Sequence, residues 1–303
     1  MSVGNNRLGR RAVRGIDRRG FLSMASLGLA VHALPAGAFV CEPLPALRMR
    51  RVNLVVGAEC PFRVLHVSDS HVARIDSRDG DAVYAFAKSR SRIGRELGEY
   101  YLDEAVHHAR AAGIKVVHTG DFMDFMSEAN LEYAARRFRT DGFLACVGNH
   151  EYWLDAGKRE VEEYKVPTIP KVKAVWNGVP ASVTRIGGVN FFVFDNAFGT
   201  VTDEIAARFD DVAKEGSPIV MVCHVPLWAE GCGLEANVCG KPMRVGGDAA
   251  SSAFVERVRR EPLVKAVLAG HLHARHDFDF SPTARECVAN ALFNGEAAEV
   301  SFS

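Results

Sequence analysis

The stretch Phe62-Arg63-Val64-Leu65-His66-Val67-Ser68-Asp69-Ser70-His71 decides how the chain is read. Its first six residues form a short run with β-branched and apolar side chains, which reads as a strand, and it runs straight into a loop carrying an acid and an imidazole. A long helical region is expected next, from about Asp81 to Ala112. The figure then repeats. Strand Ile114 to His118 leads into Gly120-Asp121-Phe122-Met123-Asp124, helix Ser127 to Phe138 follows, and strand Phe143 to Val147 leads into Gly148-Asn149-His150-Glu151. Strands alternating with helices read as α/β, and in open α/β sheets ligands bind outside the carboxyl ends of the strands.

The second half starts with a β-hairpin. Ser182 to Ile186 and Asn190 to Asp195 flank Gly187-Gly188, whose glycines permit the positive φ angles of a tight primed turn. A helix is expected from about Thr202 to Gly216. Strand Ile219 to Cys223 then ends at His224, followed by helix Ala249 to Arg260. Strand Val264 to Ala269 leads into Gly270-His271-Leu272-His273, and short strands near Cys287 to Leu292 and Ala297 to Phe302 close the chain. No internal repeat or low-complexity linker interrupts this order. The simplest assembly is one domain over 61–303, a four-layer α/β/β/α sandwich of two packed mixed β-sheets flanked by helices.

Composition supports a globular chain: of 303 residues, 48% are hydrophobic and 24% charged. Lys plus Arg and Asp plus Glu both total 37, but six arginines (Arg7, Arg10, Arg11, Arg14, Arg18, Arg19) fall within 1–38 beside a single acid, Asp17. Without that segment the formal charge is −5, which argues against a broad electrostatic footprint for nucleic acid, and no stable nucleic-acid binding is expected. The seven cysteines show no CxxC spacing, so neither a zinc ribbon nor a thioredoxin-like site is indicated. Cys232 and Cys239 flank a Gly-rich loop and read equally as a disulfide or as two free thiols.

The N-terminus reads as an address. An Arg-rich start, the apolar stretch from Phe21 to about Leu34 and the small residues Ala36-Gly37-Ala38 follow the order of an export signal. Arg18-Arg19-Gly20-Phe21-Leu22 resembles the twin-arginine signal, which implies the twin-arginine export machinery as a partner and an exported location, periplasmic or extracellular. A disordered basic arm and a membrane anchor of marginal length are the other readings of 1–38. Residues 39–60 read as a connecting segment.

Five segments at predicted strand ends concentrate metal-ligand side chains: Asp69-Ser70-His71, Gly120-Asp121-Phe122-Met123-Asp124, Gly148-Asn149-His150-Glu151, His224, and Gly270-His271-Leu272-His273. Singly each is weak, since a turn Asp, a loop Asn or a core His explains it; the specificity lies in the set. Carboxylates suit hard divalent ions and imidazoles suit zinc, iron and their neighbours, so this mixture fits a transition-metal pair. Motif by motif and in order, from Asp69 to His273, the chain resembles the calcineurin-like metallophosphoesterase family.

That resemblance implies a phosphate-ester hydrolase acting on a small-molecule phosphomonoester or phosphodiester, with two divalent metal ions (Mn, Fe or Zn). Asp69, His71 and His273 would hold the first ion, Asp121 would bridge, and Asn149, His224 and His271 would hold the second. A hydroxide shared by the metals would attack phosphorus in line, His150 would assist the leaving group, and Asp124 would hydrogen-bond His150. A carboxylate behind an imidazole also raises its basicity, favouring the protonated acid.

Two departures narrow the family. Protein Ser/Thr phosphatases carry Arg-Gly where Phe125-Met126 follows Asp124, and purple acid phosphatases carry a Tyr where this chain has Asp124. Both types are disfavoured. A catalytically silent binding module on the same fold is the alternative, though such proteins usually lose ligands that are all present here. His107, His108, His118 and His276 match no ligand position. Tyr152, Trp153 and Trp228 read either as loop packing or as faces for a nucleobase. The irregular stretches 158–178 and 227–247 read as lids or specificity walls.

Overall fold

Leu65 of the opening stretch is fully buried and packs against Tyr101 and Leu102 on a helix, whereas its neighbour Val64 packs against Phe191 and Val220 of a different sheet. This strand therefore has a helix layer on one face and a second sheet on the other. The computed structural model describes residues 44–90, 97–154, 162–234, 237–238 and 241–303. The expected export signal, Cys41 and Cys239 lie outside the described residues. From Pro45 onward the chain forms one compact unit.

Five strands make the first sheet: β1 (Arg48–Leu54), β2 (Phe62–Val67), β3 (Lys115–Thr119), β4 (Leu144–Cys146) and β13 (Glu296–Phe302), in the order β1-β13-β2-β3-β4. Six make the second: β5 (Ala181–Ile186), β6 (Val189–Phe194), β7 (Ile219–Val222), β10 (Val264–Ala269), β11 (His276–Asp279) and β12 (Arg285–Val288), in the order β11-β12-β10-β7-β6-β5. β2, β3 and β4 run parallel, as do β6, β7, β10 and β12. Strands buried on both faces read as nearly continuous apolar runs, which is why Ile219-Val220-Met221-Val222 carries no polar residue.

Three apolar layers hold the sandwich. Val64, Val117, Leu144, Phe191, Val220, Leu268 and Val300 fill the space between the sheets. Tyr101, Leu102 and Ala105 from helix Gly98–Ala112, with Leu131 and Ala134 from helix Glu128–Asp141, cover the outside of the first sheet. Ile205, Phe209 and Val212 from helix Asp203–Lys214 and Phe254, Val255 and Val258 from helix Ala249–Arg260 cover the second. The four-layer α/β/β/α sandwich is the observed architecture.

Several elements differ from the reading of the sequence. Residues 48–54, placed in a connecting segment, form β1, which pairs in parallel with β13 at the sheet edge. Its pattern hid it, because an edge strand half open to solvent tolerates Arg48, Arg50 and Arg51. The helix expected over Asp81 to Ala112 is described as two, Asp81–Ser89 and Gly98–Ala112. The stretch 158–178 contains helices Glu162–Lys165 and Ile169–Val175, and 227–247 contains the two-residue ladder of β8 (Asn237–Val238) and β9 (Lys241–Pro242). The strand expected near Cys287 to Leu292 ends at Val288. The hairpin is as expected, with Gly187 at φ +57° and Gly188 at φ +86°.

Candidate dinuclear metal centre

Every one of the five motifs leaves the carboxyl end of a parallel strand: β2 delivers Asp69 and His71, β3 Asp121 and Asp124, β4 Asn149 and His150, β7 His224, and β10 His271 and His273. Among the described residues, the non-glycine positions in left-handed φ are Asp69, His71, Asp121, His271 and His273. Such conformations cost on the order of 1–3 kcal/mol for a residue with a Cβ and persist where the surrounding structure over-determines them, typically at functional sites. All five belong to the set expected to hold metal.

The donors fall into three groups among the described residues. Asp69, His71, Asp121 and His273 form one and Asp121, His224 and His271 a second, the two sharing Asp121, while His71, Asp124 and His150 form a third. In the first, Asp69 Oδ1 lies 3.2 Å from His273 Nε2, and His71 Nε2 lies 3.0 Å from His273 Nε2 and 3.6 Å from Asp121 Oδ2. In the second, His224 Nε2 lies 3.3 Å from Asp121 Oδ2, 3.1 Å from Asn149 Oδ1 and 3.1 Å from His271 Nδ1. Asp121 and Asn149 are buried, as are Asp69, His71 and His224.

Hydrogen bonds behind the imidazoles set which nitrogen faces inward. His71 Nδ1 donates to Asp124 Oδ1 at 2.9 Å, and His224 Nδ1 donates to the Thr119 carbonyl at 2.7 Å. Both rings in their neutral form thus turn an Nε2 lone pair into the cluster, an arrangement that orients imidazoles as metal ligands. Asp69 Oδ1, buried, accepts no hydrogen bond. Lone pairs and a bare carboxylate oxygen facing one another at these distances call for a cation between them, so the donor set fits divalent metal.

The electrostatics make the same demand. Burial opposes charge on His71, but Asp124, Asp69 and Asp121 outweigh it and hold the ring up at about 10. Burial likewise opposes charge on His224, which Asp121 and Asp69 hold up at about 9. Asp69 and Asp121 resist the penalty of burial and are held well below the usual carboxylate range by the facing imidazoles. Protons on His71 and His224 thus stand where cations would otherwise compensate three buried carboxylates.

Backbone contacts leave no slack between the loops. Glu151 Oε2 accepts from the amides of Gly148 at 2.6 Å and Asp121 at 3.0 Å, while Oε1 accepts from Met123 at 3.0 Å. One carboxylate thereby clamps the second motif to the third. A Cβ on Gly148 would run into the Asp121 carboxylate, and one on Gly270 into the Ser68 hydroxyl, so glycine is required where the loops meet. Asn196, at the end of β6, accepts from His224 N and Val225 N, both at 3.0 Å.

A profile of the calcineurin-like phosphoesterases matches residues 62–275, which contain all of these loops. The chain belongs to that family. As a calcineurin-like phosphoesterase it is a metal-dependent hydrolase of phosphoric esters. A search of curated proteins finds no match. Among solved structures, a dimetal phosphatase from Danio rerio is similar, with 13% identity over 77% of this chain and 88% of the other at a TM-score of 0.50. A 5′-nucleotidase from Candida albicans shows 13% identity over 82% of this chain and 47% of its own, at 0.45.

In this phosphoesterase His150 and Asp124 meet as expected. His150 Nδ1 lies 2.8 Å from the Asp124 carbonyl and 3.1 Å from Asp124 Oδ1, and its Nε2 lies 3.7 Å from Asp121 Oδ2. Burial dominates and pushes His150 down to about 4, although Asp121 and Asp124 each raise its basicity. Tyr152 and Trp153 are fully buried, so neither offers a face to a nucleobase. Tyr152 OH donates to Asp195 at 2.7 Å. Trp228 is half-buried, with the Arg244 guanidinium 5.0 Å from its ring centre.

His118, buried and pushed down to about 3 chiefly by burial, lies 2.5 Å from Ser70 Oγ beneath the first motif and is no member of any of the three donor groups. His108 pairs with Glu299 at 3.2 Å, and His276 bonds the Cys232 carbonyl at 2.6 Å. Arg90 and the clamp made by Glu151 were not anticipated. Arg90 sits at the end of helix Asp81–Ser89 with no motif around it, and its guanidinium grips Asp124.

Proposed function

We propose that this chain hydrolyses a small-molecule phosphomonoester or phosphodiester at a two-metal centre, with Asp69, His71 and His273 holding one ion, Asn149, His224 and His271 the other, and Asp121 both. The observation that carries the reading is Asp121 itself, a buried carboxylate common to the first two donor groups. Two divalent ions there (Mn, Fe or Zn) would activate water and neutralise charge on the phosphoryl oxygens.

The chain's own residues supply the rest. Asp124 and the carbonyl behind it hold His150 by Nδ1, leaving Nε2 directed into the site. Water adds to phosphorus, the ester P–O bond breaks with its electrons moving to the leaving oxygen, and a proton on His150 Nε2 passes to that oxygen. A phosphate dianion beside the ring would favour the imidazolium that this step needs, against the effect of burial. The Arg-rich start and small-residue site of 1–38 support export through the twin-arginine machinery, with phosphate scavenging outside the cytoplasm as the role. Among the described residues, no helix is long and apolar enough to cross a membrane.

The mature protein is stripped of metal and assayed on p-nitrophenyl phosphate and bis-p-nitrophenyl phosphate with Mn²⁺, Zn²⁺ or Fe²⁺. Metal-restored turnover lost in Asp121→Asn and His150→Ala establishes the reading and separates monoester from diester. A stable, metal-loaded protein inactive on both esters would instead support the binding module.

A further inference from the structure

Asp124 is a fully buried junction. Its Oδ1 lies 2.9 Å from His71 Nδ1 and 3.1 Å from His150 Nδ1, and the same oxygen takes a hydrogen bond from Arg90 Nη2. Its Oδ2 accepts from Arg90 Nε at 3.0 Å. The arginine side chain is 15% exposed, its guanidinium carbon lies 5.3 Å from the ring centre of Trp153, and Trp153 lies against His150.

We infer that Arg90 is a positioning residue for leaving-group protonation: it locks the Asp124 carboxylate so that Asp124 in turn holds His150. The carboxylate torsion of aspartate is broad, so a side chain gripped only through Oδ1 swings readily. A guanidinium fork bonded to both oxygens removes that freedom, and a lysine, a point charge without the fork, cannot. Protein Ser/Thr phosphatases carry an arginine directly after the position of Asp124 to bind phosphate. Here Phe125 is buried at that place, and the guanidinium beside Asp124 arrives instead from the end of a helix, turned onto the carboxylate. Held this way, Arg90 acts on the step in which the leaving oxygen takes its proton.

The inference rests on the hydrolase reading, so the test separates the two. Metal-loaded wild type, Arg90→Gln, Arg90→Lys, His150→Ala and the double variant Arg90→Gln/His150→Ala are assayed on p-nitrophenyl phosphate and on an alkyl phosphate of poor leaving group, or on the matching diesters. Loss of a proton donor matters more as the leaving group worsens, so both Arg90 variants should lose roughly tenfold more kcat on the alkyl ester than on the aryl ester, with KM nearly unchanged. The double variant should be no worse than His150→Ala. Equal losses on both esters, a rise in KM alone, or additive losses in the double variant would overturn it. A wild type inactive on every ester fails the hydrolase reading, and imidazole NMR then decides: the His150 Nδ1–H resonance should be sharp in wild type and broadened in Arg90→Gln, and an unchanged resonance overturns the inference.

Discussion

Trp153 lies against His150, with ring centroids 3.5 Å apart and planes 34° from parallel. The indole, fully buried, forms the wall that stops the imidazole from swinging away from Asp124. Trp153→Ala should cost about 3–5 kcal/mol through the cavity it leaves, whereas Trp153→Phe keeps most of the wall. Urea titration measures the first effect. Turnover of Trp153→Phe should fall more on an alkyl than on an aryl phosphate if the indole's part is to hold His150.

Asp121 belongs to two of the donor groups, so its loss should be felt twice. After chelation and reloading, Asp121→Asn should retain less than one metal per chain by elemental analysis, whereas His224→Ala, which spares Asp69, His71 and His273, should retain one. Equal stoichiometry in the two variants would refute the shared role.

Metal removal should lower stability and not merely activity. An ion that binds the folded state alone adds about 2.7 kcal/mol at a hundredfold excess over its Kd. Thermal melts should therefore rise with Mn²⁺ or Zn²⁺ concentration in wild type, and much less in Asp121→Asn.

At Gly148 a methyl group would press on the Asp121 carboxylate and amide. Gly148→Ala should cost about 1–3 kcal/mol by overpacking and displace the Asp121 carboxylate. A folded variant with reduced metal content is expected from circular dichroism and elemental analysis together.

Glu286 reports on pH away from the metals. Burial pushes its carboxyl well above the usual range, more than the Leu227 amide, donating to Oε1 at 2.8 Å, can offset. With the folded value raised, the stabilisation is complete below the unfolded value of about 4.3 and is lost as pH rises. Glu286→Gln keeps the acceptor without the charge. Its Tm should exceed that of wild type by about 3 °C or more at pH 8 and match it near pH 4.

The chemistry was legible in the sequence because ligand type, order and placement at strand ends are local properties. Asp69-Ser70-His71 follows a short apolar run whether or not the fold is known, and Gly148-Asn149-His150 does the same. A run of polar residues in an edge strand is not legible in that way, so β1 declared itself only through its pairing with β13. Arg90 is 34 residues from Asp124 in a helix end of ordinary composition, and nothing local marks its side chain as turned inward.

What sequence alone determined is therefore the inventory: an α/β chain with five ligand-bearing strand ends and a hydrolase's set of carboxylates and imidazoles. Tertiary structure decided which atoms meet. His71 and His273, 202 residues apart, approach to 3.0 Å because β2 and β10 lie in different sheets whose carboxyl ends open on the same edge of the sandwich. It also decided that Tyr152 and Trp153 are walls and not substrate faces, and that burial outweighs Asp124 at His150. Residue type and backbone pattern are written locally, whereas burial and charge balance are sums over everything packed nearby, and those sums exist only once the chain has closed.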